Sequence, residues 1–193
     1  MKITNRDRVQ KHPWKKQIEK NTQDFIENFG ALTEEELNWK PDPKTWSIAQ
    51  NISHLIQFNK SYFPIFGSLQ EGVYKAPFMA RFKFIISFFG KIILKSAQPQ
   101  SERKVKTISI WEPVKSSIAE GIIDEFKQHQ SELIGAIEKA TDLAKKETVI
   151  SSPANRFIVY PIDVAFDIIV AHEKRHLKQS KKVYQIIVGL NEK

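Results

Sequence analysis

His172 and His176 stand four residues apart. On a helix that spacing puts their Cβ atoms about 5–6 Å apart on one face, where two imidazoles can reach one ion. The same face carries Ala165, Ile169, Gln179, Val183 and Ile187, so the rings interrupt a largely apolar stripe. Burying an imidazole is costly unless its polar atoms are satisfied, and a divalent ion does this directly. Spacing alone fits equally well two histidines turned to solvent or hydrogen-bonded in a core. His54 shifts the balance, because it falls midway along an expected core helix beside Leu55 and Phe58, where an apolar side chain would pack better. Three neutral imidazoles with an open fourth position suit a catalytic divalent metal. We therefore expect His54, His172 and His176 to bind one transition metal ion. Zinc and nickel lead, although iron and copper accept the same ligands.

The segment HEKRH, residues 172–176, also satisfies the H-E-x-x-H pattern of zinc peptidases, in which the glutamate is the general base. Those enzymes usually draw a third ligand from downstream. Here the downstream stretch offers only Glu192, so peptidase activity is a minor alternative and Glu173 is expected to support the site or to face solvent. His12 precedes Pro13 in a start that is expected to be frayed, and His129 is placed on the polar side of its helix; both are read as structural or solvated. Asn51, one turn before His54, and Gln179, one turn after His176, are candidates for hydrogen bonds to the ligands or to a bound cofactor or substrate. Arg175, Lys178, Lys181 and Lys182 either attract an acidic ligand or form a solvated helix face. Trp39 and Trp46 are expected to be packing anchors, with lining the pocket as the alternative.

These residues need a scaffold, and composition says which kind. At 193 residues, 41% hydrophobic and 27% charged, the chain is expected to fold as a single domain, residues 1–193, with one core. It has no cysteine, so thiol chemistry would require an external thiol. The net charge of +8 is spread along the chain without a run of five like charges or a nucleic-acid-binding motif, which argues against a nucleic-acid partner. The polar, basic start is unlike a secretory signal, and the cytoplasm is the expected location.

Apolar periodicity predicts helices over residues 14–32, 47–69, 114–140 and 162–188. Thr45 or Ser47 would cap the second, and Pro64 would kink it. Residues 98–113 and 147–161 read as loops. Residues 77–95, PFMARFKFIISFFGKIILK, predict a shorter fifth helix. Their longest uncharged run, 84–90, is far below the ~20 residues of a membrane span. An all-α, up-down four-helix bundle follows, with metal sites expected where facing helices converge.

Two segments carry a family likeness. LNWKPDPKTWSIAQNISHL, residues 37–55, and SSPANRFIVYPIDVAFDIIVAHEKRHLKQSKKV, residues 151–183, resemble the tryptophan-bearing loop, first-histidine helix and last helix of the DinB-like superfamily, which includes bacillithiol S-transferases. The resemblance implies the family's four-helix bundle, places His54, His172 and His176 on its metal triad, and makes a homodimer an expected state. It leaves the reaction open. Transfer of a low-molecular-weight thiol to an electrophilic small-molecule substrate leads, with metal-assisted hydrolysis beside it. The rivals are a non-catalytic metal-binding or stress-related binding protein, and peripheral membrane contact through residues 77–95. For that segment, packing on the bundle or at a dimer interface is the favoured expectation.

Overall fold

The computed structural model describes residues 13–101, 107–114, 116–118 and 120–191. His12 and Glu192 lie outside them. Wherever apolar residues recur every three to four positions the chain is helical: α1 (Pro13–Phe29), α3 (Ile48–Lys60), α6 (Ile122–Lys145) and α7 (Ile162–Asn191) form a four-helix bundle. Around the bundle α1 packs on α6 and α7, and α3 packs on the same two helices from the other side. Shorter helices α2 (Glu34–Asn38), α4 (Phe63–Gln70) and α5 (Lys83–Ala97) flank it, and a hairpin of β1 (Val149–Ser152) and β2 (Asn155–Pro161) precedes α7. The fold is all-α apart from this hairpin.

Local chemistry sets the ends that matter for the site. Ser47 accepts a hydrogen bond from the Gln50 backbone N–H while the Gln50 side chain accepts from the Ser47 N–H, a reciprocal cap that fixes where α3 begins. Seven residues on, two turns along the same face, stands His54. The expected helix over 47–69 is broken rather than kinked: it stops at Lys60 and restarts as α4 at Phe63. Pro64 lacks an N–H and its ring would strike the carbonyl of Lys60, so one continuous helix is not available. The helix expected from residue 114 begins only at Ile122, because Gly121 at its start adopts φ +83°, a left-handed conformation favoured by glycine.

The hairpin was not expected from the sequence. Ser, Pro and Asn at 151–155 do form the turn region, but Phe157, Ile158, Val159 and Tyr160 continue as a strand that pairs Ile150 with Tyr160 and Ser151 with Val159. Ile150, Val159 and Tyr160 are fully buried. Four apolar residues between two proline-containing turns are too few to display a clear period, which hid the strand.

Along each bundle helix the apolar core is interrupted at the same level. One cluster contains Ile18, Tyr62, Leu133 and Ile169, the other Phe25, Ile52, Phe126 and Leu177. Between them every helix contributes buried polar groups: Asn21 from α1, His54 and Asn59 from α3, His129 and Gln130 from α6, Glu173 and His176 from α7. A polar layer crosses the bundle. Its members must find partners or a ligand, since unsatisfied buried polar atoms each cost about 1–3 kcal/mol.

Candidate metal centre

His54 from α3 and His172 and His176 from α7 meet in that layer. His54 Nε2 lies 3.3 Å from His172 Nε2, and His176 Nε2 lies 3.1 Å from the same atom. On the opposite sides of two rings, His54 Nδ1 is 2.6 Å from the Trp111 carbonyl and His176 Nδ1 is 2.7 Å from Asn51 Oδ1. Both of those partners are acceptors, Asn51 because its Nδ2 donates to the Ser47 carbonyl. The two Nδ1 atoms therefore carry the protons, and the two Nε2 atoms turn lone pairs toward His172. At most one of these can be satisfied by a proton on His172 Nε2, whose Nδ1 is buried without a partner.

A cation resolves that conflict for all three rings. Tetrahedral coordination at 2.0–2.1 Å separates nitrogens by about 3.3 Å, close to the two distances observed, and the three ligand atoms lie within 4.8 Å of one another. The donor set thus fits a metal ion. Burial pushes the His54 imidazolium down to about 4 and holds His172 and His176 well below the usual range, with neighbouring imidazoles adding to the effect for the latter pair. All three are neutral near pH 7, the form that ligates.

The rings open on a cavity of about 680 Å³, within the range of small-molecule sites. Trp46 stacks on His176 at 5.9 Å and sits 4.9 Å from the His54 ring, so it forms a wall of the site. Phe58 packs against the His172 ring at 4.1 Å. Gln179, Arg175 and Lys182 also line the cavity. Lys178 instead donates to the Pro99 carbonyl. Trp39 lies away from the histidines, half-buried against the second apolar cluster. The tryptophans therefore divide, with Trp39 an anchor and Trp46 part of the site.

Two expectations are corrected. Glu173 neither faces solvent nor lines the cavity: its carboxylate accepts hydrogen bonds from Asn21 Nδ2 at 2.9 Å and Asn59 Nδ2 at 3.0 Å in the bundle interior. The helical rotation of about 100° per residue that turns His172 toward the cavity turns Glu173 toward α1 and α3, which removes it as a peptidase base. His129 is buried rather than solvated, because it follows Phe126 by three residues and precedes Leu133 by four on the inward face of α6. Its ring stacks on Phe63 and neither nitrogen has a partner.

Burial lowers His129 from 6.5 to about 4. The unfolded chain takes up its proton below about pH 6.5 while the folded one does not, so stability is full above that pH and falls toward pH 4. A shift of this size is worth about 3 kcal/mol across the window. Melting temperatures measured on metal-free protein from pH 8 to pH 4 should drop on acidification, and His129→Leu should flatten the curve. An identical acid slope in the variant would mean that His129 titrates freely.

Sequence reasoning missed the Trp111 carbonyl, which ends a short 3-10 turn (Ser109–Trp111) and has no side-chain signature, and Asn21, Asn59 and Gln130. Each of these three amides sits on the apolar face of its helix, and that placement was a usable signal.

Fold and site together define a helical bundle with a three-histidine group able to hold a metal ion. The chain belongs to the DinB superfamily, whose family model matches residues 17–180 and so spans all three histidines. No curated protein and no solved structure matches it.

Proposed function

We propose that the chain is a single-domain enzyme that holds one divalent transition metal, zinc or nickel, through His54, His172 and His176 and acts on a small molecule in the adjoining cavity. The convergence of three Nε2 atoms beside a half-open, mostly apolar cavity carries this reading. Transfer of a low-molecular-weight thiol to an electrophile is the leading reaction, with hydrolysis as the alternative. A metal bound there would lower the pKa of a thiol or water in its open position.

The chain's own residues supply the rest. The Trp111 carbonyl and Asn51 hold two imidazoles in the ligating tautomer. Trp46 and Phe58 pack against the rings and cover part of their faces. Arg175 and Lys182 give the cavity a positive field that favours an anionic substrate or a developing negative charge. Gln179 places an amide one turn beyond His176, where it can donate to or accept from a ligand.

Elemental analysis of purified protein should find about one transition metal per chain, and thiol-conjugation and ester-hydrolysis assays on the loaded protein should then separate the two reactions. Folded protein that holds no metal and takes up neither zinc nor nickel would sink the enzyme reading and leave a binding role. Asn51→Leu should weaken metal affinity about 10–100-fold, the usual effect of losing the group that orients a ligand. Competition with a chromophoric chelator measures this, and unchanged affinity would show that Asn51 does not orient His176.

A further inference from the structure

Helix α5 has two faces. Gly90 and Ala97 are buried and Ile93 and Leu94 pack into the core, so the inner side seals the bundle against α7 and β2. The outer side has no cover among the described residues. Phe84, Phe88 and Ile92 are 72%, 58% and 47% exposed, and their spacing of four puts them in one row along the helix. Phe78, just before α5, is 60% exposed.

Basic residues share this outer face. At 100° per residue Lys91 and Lys95 fall within about 60° of Phe84 and Phe88, and both are exposed. Lys75, Arg81 and Lys83 extend the positive charge, and residues 73–101 contain no Asp or Glu. None of Lys83, Lys91 and Lys95 is ion-paired with a described residue.

We propose that this face of α5 docks the protein on the surface of an anionic lipid bilayer. Phe84, Phe88 and Ile92 enter the interface, and Lys91, Lys95 and their basic neighbours meet the head groups. A row of aromatic tips interleaved with cations on a helix lying flat is the form of a peripheral membrane anchor. Charge decides against a second copy of the chain, since a symmetric contact would set one uncompensated basic face on another. No helix among the described residues is long and apolar enough to cross a membrane, so the contact is superficial. The inner side of the same helix lines the metal cavity through Ile93 and Ala97, and docking would bring that cavity wall close to the head groups.

The test is co-sedimentation of the full chain with vesicles of phosphatidylcholine alone or mixed equally with phosphatidylglycerol. Wild type should pellet with the anionic vesicles, weakly or not at all with the neutral ones, and less at high salt. Phe84→Gln/Phe88→Gln and Lys91→Glu/Lys95→Glu should each reduce partitioning about tenfold or more. Because all four side chains are exposed, unchanged melting temperature and metal content would verify folding of both variants. Failure of wild type to pellet at low salt, or equal pelleting of the phenylalanine variant, overturns the proposal. So would a wild-type dimer that Phe84→Gln/Phe88→Gln dissociates, since the face would then belong to a second copy.

Discussion

His172→Ala is expected to abolish stoichiometric metal binding, with affinity falling well beyond the roughly 100-fold that loss of an orienting hydrogen bond costs. His172 is the hub of the cluster, because its Nε2 is the atom that both other Nε2 atoms approach. Without it, His54 and His176 remain as two ligands from different helices. His54→Ala and His176→Ala should behave alike. Removing a desolvated ring that lacks a proton donor for its neighbours should not unfold the metal-free protein, so folding and metal content can be read separately. Elemental analysis of the three variants beside wild type measures the effect, with circular dichroism to confirm helicity. Full metal retention in any one of them would remove that residue from the ligand set.

The second large effect lies one residue further along α7. Glu173→Ala should destabilise the protein by about 3–5 kcal/mol, since it strands the Asn21 and Asn59 amides in the interior and leaves a cavity among them. That corresponds to a fall of roughly 10 °C in melting temperature for a chain of this size. Glu173→Gln should cost far less. Asn59 Oδ1 is buried without a partner, so rotating that amide lets it accept from the new side-chain NH2 group. Metal content should be unchanged in Glu173→Gln, as expected of a residue that faces away from the histidines.

Burial raises the Glu173 carboxyl from 4.5 to about 7 against the hydrogen bonds that lower it. Between those values the unfolded chain loses the proton while the folded one keeps it, so this residue's contribution to stability falls as pH rises from 4.5 to 7. His129 acts in the opposite sense over much of the same window. Thermal melts of Glu173→Gln should therefore show a steeper loss on acidification than wild type. A variant curve parallel to that of wild type would mean that Glu173 is ionised throughout.

Much of this was legible in the residues. The period of apolar positions in α1, α3, α6 and α7 reports which side of each helix is buried, because burial is what a 3.6-residue repeat encodes. Histidines on such a face of α3 and α7 announce a polar need inside the core, and the pairing of His172 with His176 follows from helix geometry alone. The reciprocal cap at Ser47 and Gln50 and the break at Pro64 are likewise local events, set by residues within one turn of each other.

What lay beyond the sequence depends on neighbours distant along the chain. Glu173 and His172 are adjacent in sequence, yet only the packing of α7 between α1 and α3 assigns one to the amides of Asn21 and Asn59 and the other to the cavity. The partner of His54 is a backbone carbonyl at Trp111, an atom that every residue possesses and no residue type reveals. Residues 77–95 carry apolar residues on every side of the helix, with lysines beside Phe84 and Phe88, so periodicity could not say which side packs; the position of α5 against α7 and β2 buries Gly90 and Ala97 and leaves Phe84 and Phe88 in water. Helix faces are local properties of the chain, whereas the choice of what each face meets is made by long-range packing, and the three-histidine cluster is assembled by that choice.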